Sequence, residues 1–286
     1  MSNHCLEFIP SRKSGKDTSA RLSWLIAAIP LLLLAAPACD GDDGRDGRDA
    51  TIVGEGLNLQ IVSVDIGRDL RPIVEFTLED DEGNPMQLSD LDSDPRFLLG
   101  WIDVDPVSGR SRYQSHIVNT VAGEPYQLNG VTTQPTLASA TEAGTDSGGT
   151  FAERAPGEYR YTFGTALDPM YDRDATNTLA LYATRESRSV VVNEVYDFVP
   201  SGAPVTVTRD VVDEARCNDC HDQLAFHGGT RRNYVLCQIC HTDQSIDPET
   251  GNSVELKDMV HRIHQGADLS NQPYYIVGHN QNVHDY

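Results

Sequence analysis

Between Leu57 and Pro200 the chain alternates apolar and polar residues in short stretches. Val74, Phe76 and Leu78 alternate with Glu75, Thr77 and Glu79, and Asp81-Glu82-Gly83-Asn84-Pro85 follows as a turn. Leu179 and Leu181 alternate with Ala180 and Tyr182, and Val190 to Val195 is nearly continuous in β-branched residues. A period of two turns one strand face to a core and the other to water. Apolar runs separated by Gly, Pro, Asn and Asp clusters predict an antiparallel sandwich or Greek-key barrel. Gly157-Glu-Tyr159-Arg-Tyr161-Thr-Phe163 puts three aromatics on one strand face. That row reads as core, and it is similar to the tyrosine corner of immunoglobulin-like sandwiches. Ala138 to Thr150 is rich in Ser, Thr and Gly and predicts a long exposed loop. A helical period appears only later. Val254 to Gln265 reads as a helix, with Val260 and Ile263 apolar and Gly266 at its end. The fold class is thus a mainly β N-terminal domain followed by a largely irregular, partly helical region.

The N-terminus carries a different signal. Arg12, Lys13, Lys16 and Arg21 precede an uncharged run from Leu22 to Ala38 that contains Leu31-Leu32-Leu33-Leu34. The run is short for a permanent membrane helix and is broken by Pro30 and Pro37, so residues 1–38 read as an export signal. Ala36-Pro37-Ala38 supplies small residues for cleavage, and Cys39 follows. This arrangement is similar to a lipoprotein signal, which makes Cys39 a candidate acylation site and the lipid a membrane anchor. Plain secretion and a retained anchor helix are the competing readings. Residues 39–56 form an acidic Gly-rich tether, with Gly41, Gly44 and Gly47 three apart. Its five Asp do not follow the EF-hand ligand order, and its triplets are too few for collagen.

Composition sharpens the division. The chain has 286 residues and a formal charge of −21. Its acidic surface argues against nucleic acid as a partner, because the phosphate backbone would repel it. The segment from Val205 to Tyr286 holds seven of the nine His and four of the six Cys. We therefore read 57–204 as the antiparallel β domain and 205–286 as the chemical segment. The β domain shows no catalytic constellation and reads as a docking or spacing module. His116 stands alone as a structural histidine, and Asp103 with Asp105 reads as a solvated edge rather than an acid–base pair.

The chemistry lies in Cys217-Asn-Asp-Cys220-His221 and Cys237-Gln-Ile-Cys240-His241. Both are C-x-x-C-H, the attachment signature of c-type haem. The two thiols can add to the two vinyl groups of one porphyrin, and the adjacent His can reach the iron. Two copies imply two haem c groups, held by Cys217, Cys220, Cys237 and Cys240, with His221 and His241 as proximal ligands. The spacing also fits a zinc ribbon, and an oxidising compartment would allow two disulfides. Neither explains a His after each pair. A dithiol redox motif lacks its βαβ context. For the distal positions His227, His261 and His264 are the leading candidates, ahead of His279, His284 and Met259. His261 and His264 are three apart on one helix face, a spacing suited to two neighbouring haems. His227 precedes Gly228-Gly229, which allows close backbone approach to a flat macrocycle.

These residues resemble the OmcA/MtrC family of outer-surface decahaem cytochromes. The resemblance runs through Arg209-Asp-Val-Val-Asp-Glu-Ala-Arg-Cys217-Asn-Asp-Cys220-His221 and Phe226-His227-Gly-Gly-Thr-Arg231. It continues through Cys237-Gln-Ile-Cys240-His241 and Met259-Val-His261-Arg-Ile-His264-Gln-Gly266. It implies alternating β and multihaem domains, mostly bis-His coordination, and electron export to metal oxides, soluble metals or flavins. It also implies other multihaem cytochromes or an outer-membrane porin–cytochrome conduit as partners, and an outer-membrane, cell-surface location. The periplasm is the alternative. Family members carry ten attachment motifs where this chain has two, so 205–286 reads as the start of a haem domain, apparently truncated. An electron carrier is expected rather than an enzyme. The rival readings are a multihaem reductase with one open haem and a truncated product without function.

Overall fold

The computed structural model describes residues 53–270 and 273–286. The export segment, Cys39 and most of the tether lie outside the described residues, which belong to one compact unit, Asp49–Tyr286. Among them, no helix is long and apolar enough to cross a membrane.

The first strands are β1 (Asn58–Ile66), β2 (Pro72–Glu79), β3 (Arg96–Val104) and β4 (Ser111–Ser115). Two short ribbons follow, β5 (Val118–Ala122) with β8 (Ser139–Ala143) and, between them, β6 (Tyr126–Leu128) with β7 (Val131–Thr133). The last strands of the β part are β9 (Thr150–Ala155), β10 (Glu158–Thr162), β11 (Asn177–Arg185) and β12 (Val190–Phe198). They build two four-stranded antiparallel sheets, ordered β1-β2-β10-β9 and β12-β11-β3-β4.

The main core fills the space between these sheets, as a sandwich requires. Val74, Phe76 and Leu78 of β2 point into it, together with Leu59, Phe97, Leu99, Leu179 and Leu181. The predicted aromatic row is there too. Tyr161 stacks on Phe97 with ring centroids 4.2 Å apart, and Tyr159 stacks on Phe76 at 5.6 Å. The tyrosine-corner likeness does not hold. Tyr159 donates to the Met86 carbonyl, 73 residues upstream, and Tyr161 donates to the Asp146 carboxylate at 2.7 Å.

The exposed loop expected over Ala138–Thr150 is also corrected. Ser139–Ala143 is strand β8, paired with β5, and Asp146 is buried. The Asp146 carboxylate accepts from the backbone N–H of Gly164 and Thr165 as well as from Tyr161. Small polar residues formed a strand here because β5 offered a partner edge.

The second sheet is buried on both faces. Leu179 and Leu181 face the sandwich core, while Ala180 on the opposite face is just as buried. The cover is helix α2 (Tyr234–Cys240), which follows α1 (Glu214–His221) and precedes α3 (Leu256–Gln265). Leu236 and Ile239 of α2 are fully buried against Leu98, Ile102, Tyr113 and Ala180. Gly100 permits this approach, since a Cβ there would lie 3.3 Å from Ile239 and 2.7 Å from the Gln114 carbonyl. The chain after α2 is clasped by the β5–β8 excursion. Thr136 and Leu137 donate to the carbonyls of Glu249 and Pro248, and Ile246 donates to Thr141. A closing hairpin, β13 (Tyr275–Gly278) with β14 (Asn282–Asp285), is pinned where Val277 N–H donates to Asp247 at 2.9 Å.

Two stability outcomes follow from this packing. Leu236→Ala and Ile239→Ala should each cost about 2–5 kcal/mol in denaturant unfolding, the usual range for emptied core sites. A cost near zero would mean that α2 is not seated on the sheet. Asp80 gives a pH signature. Burial raises its pKa, but bonds from the Asn84 side chain and from the N–H groups of Asn84, Gly54 and Glu82 outweigh it and hold the carboxyl at about 2. A depressed carboxyl stabilises fully above its unfolded value, here 3.8, and that contribution disappears as pH falls through 2. Acid titration should show wild type losing stability relative to Asp80→Asn between these values. Parallel curves would refute it.

Candidate functional site

The two C-x-x-C-H motifs end two different kinds of helix. In α1, Asp213 caps the N-terminus by accepting from Ala215 N–H at 3.0 Å, and no residue of the helix is buried. Its ties are polar. Glu214 accepts from Tyr234 N–H at 2.8 Å, and Asn218 accepts from Leu224 N–H at 2.6 Å. In α2, Asn233 caps the start by accepting from Val235 N–H, and the apolar face is locked to the second sheet. Cys237, Cys240 and His241 therefore sit on a foundation that Cys217, Cys220 and His221 lack. All four thiols are free.

From His241 the order propagates. Its Nδ1 donates to the Val254 carbonyl at 2.9 Å, and its own carbonyl accepts from Leu256 N–H, which starts α3. A carbonyl only accepts, so the donor must be Nδ1–H, and Nε2 of the neutral ring keeps its lone pair. In α3, His261 and His264 donate from Nδ1 to the carbonyls of Lys257 and Val260, each at 2.7 Å. Gly266, with a φ of +50°, ends the helix as expected.

The imidazoles meet in pairs. His264 faces His221 with ring centroids 6.0 Å apart and planes at 86°. His227 lies over His241, also at 6.0 Å, with planes at 27°. Metal–imidazole bonds are about 2 Å long and a ring centroid lies roughly 1 Å beyond its nitrogen, so two rings on opposite sides of one iron stand about 6 Å apart. A tetrahedral ion would draw them to about 5 Å. Among the described residues no three His, Cys, Asp or Glu side chains gather as a bare-metal site. The donor set and its spacing thus fit a six-coordinate haem at each motif.

His227 reaches its place through an unusual turn. His227, Gly228 and Gly229 all have positive φ, at 52°, 73° and 80°. Asn193 of β12 holds the loop, accepting from the N–H groups of Arg232 and Asn233 and donating to the Thr230 carbonyl. Burial, helped by Arg231 and His241, lowers the His227 pKa to about 4, and burial also lowers that of His241. Both rings are neutral at physiological pH, which is the form that ligates a metal. Burial pushes the thiols of Cys237 and Cys240 up, to about 11 and about 12.

The other candidates are not brought to a second imidazole among the described residues. His261 is exposed on α3, His279 lies in the turn of the closing hairpin, and His284 stacks on Tyr286 at 6.4 Å. Met259 is half-buried on α3. His116 has a structural role. Its Nε2 donates to Asn177 at 2.7 Å, the ring packs on Trp101 at 4.4 Å, and burial lowers its pKa to about 4. Asp103 pairs with Arg112, while Asp105 accepts from two N–H groups of a turn. Sequence reasoning missed the contribution of the β part. Arg96 and Arg188 line a cavity of about 300 Å³ together with His227 and Arg231. Their polar neighbours in sequence carry no periodic signal that separates them from surface arginines.

Comparisons with known proteins point to multihaem cytochromes. A family model described as outer membrane cytochrome MtrC/MtrF-like, domains II/IV, matches residues 209–285. The multiheme cytochrome MtrC of Shewanella baltica (strain OS185) is 32% identical over 136 residues, covering 42% of this chain and 20% of that protein. Among solved structures, the outer membrane decaheme cytochrome OmcA aligns with a TM-score of 0.67 and 26% identity, over 80% of this chain and 37% of its own. Over these residues the chain is similar to the OmcA/MtrC family. The crystal structure of MtrC from Shewanella baltica OS185 shares the fold, with a TM-score of 0.51 and 23% identity over 75% of this chain and 33% of that one. The chain therefore spans a fifth of the curated OmcA/MtrC relative and about a third of each solved one. Similarity to this cytochrome family implies haem c binding.

The difference between the two helices can be read in the haem-free chain. Iodoacetamide at pH 8 should alkylate exposed Cys220 at least tenfold faster than Cys240, because the thiolate is the nucleophile and burial suppresses it. Peptide mass mapping over time measures this. Equal rates would show that α2 does not protect its motif.

Proposed function

We propose that this chain is an electron carrier with two haem c groups held by residues of the segment 205–286. Cys217 and Cys220 would each add S–H across a vinyl group of the first porphyrin, and Cys237 and Cys240 across those of the second. His221 and His264 would ligate the first iron, and His241 and His227 the second. The observation that carries the reading is the meeting of each motif histidine with a second imidazole at 6.0 Å. Haem iron, when bound, supplies a one-electron couple. Were each iron held by these two imidazoles, no vacancy would be left for a substrate, which favours a carrier over a reductase. The carbonyls of Val254 and Val260 orient the His241 and His264 rings and would leave each Nε2 lone pair available to the metal. Residues 57–204 serve as the β module on which the second site is built.

The setting is proposed from the family and the sequence together. Cys39 anchors the exported chain to the outer membrane, facing outward. Electrons pass from another multihaem cytochrome or a porin–cytochrome conduit toward metal oxides, soluble metals or flavins. A formal charge of −21 favours encounter with ferric and other cationic acceptors.

Expression in a host with haem-attachment machinery should yield an intact mass carrying two haems and a low-spin spectrum unchanged by carbon monoxide. His227→Ala and His264→Ala should each convert one haem to a high-spin, gas-binding form, while His261→Ala leaves both low-spin. A chain without added macrocycle, or with stoichiometric zinc, would overturn the proposal.

A further inference from the structure

The cavity beside His227 is lined by Arg96, Arg188 and Arg231 against a single carboxylate, Asp94. In a chain with 43 acidic residues, three arginines together should find carboxylate partners. Among the described residues none of the three is in an ion pair. Two of them are instead fixed by neutral groups. Arg96 donates to the Thr145 hydroxyl at 2.9 Å, and Arg231 donates to the Tyr182 hydroxyl at 2.9 Å while lying over that ring. The backbone presents the third deliberately. Glu186, Ser187 and Arg188 are consecutive residues at positive φ, held because Asp92 accepts from the N–H groups of Ser187 and Arg188, each at 2.8 Å. The Arg188 guanidinium then lies where a side chain at Gly228 would be, 2.9 Å from an ideal Cβ. Two of the three arginines come from the β part, and all converge next to the imidazole that pairs with His241.

We infer that this cavity is an anion site for the propionate carboxylates of the haem attached at Cys237 and Cys240, so that the β part supplies charge to that haem. The inference rests on the haem reading given above. Guanidinium groups suit planar carboxylates, with which they form paired hydrogen bonds. Positive charge near the iron penalises the ferric state, which carries one more positive charge than the ferrous state, and so raises the potential. Arg96 and Arg188 would bind the haem's carboxylates, and neither is among the candidate thioether or iron-ligating residues.

The test uses the haem-loaded full chain with Arg96→Gln, Arg188→Gln and the double variant, and Arg154→Gln on β9 of the other sheet as a control. Intact mass comes first. Loss of haem from wild type overturns the functional reading itself, and this inference with it. With both haems present, potentiometric titration should show one component shifting toward the oxidised state and the other unmoved. The expected shift is about three- to tenfold in the reduction equilibrium, tenfold being 59 mV for one electron. Arg154→Gln should move neither component. Wild type should give the same titration in phosphate as in chloride at equal ionic strength, because the carboxylates already occupy the site. A saturable phosphate response that the variants abolish would assign the cavity to a free anion and overturn the inference. Unmoved potentials in the double variant would overturn it equally, and thermal unfolding separates either result from loss of fold.

Discussion

Two apolar side chains on a seven-residue helix organise the C-terminal part of this molecule. Leu236 and Ile239 lock α2 to the outer face of the second sheet. That contact fixes the direction of Cys237, Cys240 and His241, which share the helix or follow it directly. From His241, two hydrogen bonds set the Val254 turn and the start of α3, and α3 carries His264 to His221. A short helix has little stability of its own, because nucleation is costly and few bonds repay it. The sheet therefore does what helix propensity cannot. The sandwich is part of the site's construction, and a description of it as a spacer understates its role.

The same contact explains what could and could not be read from sequence. The strands were legible because β2 and β10 face the core on one side only, which gives a clean alternation. β11 was legible as a strand but not as a two-sided one. Ala180 between Leu179 and Leu181 reads as the small exposed partner of an alternating pattern, yet it is small because α2 lies on it. The helix itself was hidden because six of its seven residues are apolar, aromatic or Cys, with no polar face to produce a period. Long-range pairing was equally silent. β5 and β8 lie about twenty residues apart in sequence and contain mostly Thr, Ala, Glu and Val, so Ser139–Ala143 resembled a loop.

At the site, the motif residues were legible because attachment chemistry fixes their spacing in sequence. The distal candidates His227, His261 and His264 were harder to rank, because a partner imidazole is fixed only in space. The three-residue step between His261 and His264 is a true statement about a helix face, but facing solvent and facing a partner differ by where α3 lies. That placement is set by the bonds that tie His241 to Val254 and Leu256, a tertiary contact that no periodicity announces. His227 was identified through the glycines beside it. The structure gives the physical reason: three consecutive positive φ angles turn the loop back, and Asn193 holds the return.

The two motifs differ in how much order precedes the cofactor. Around Cys237 and Cys240, burial keeps both thiols protonated and both imidazoles neutral, and the backbone is already anchored. Around Cys217 and Cys220, α1 buries nothing. A covalent macrocycle joined to α1 and ligated by α3 would close a loop of more than forty residues between His221 and His264, and loop closure of that length removes substantial entropy from the unfolded chain. With haem bound, the first site would thus gain most of its order from the cofactor, and the second would supply most of its own. The order of assembly follows from this asymmetry. The sheet seats α2, α2 seats α3, and α3 presents the imidazole that a haem on α1 requires.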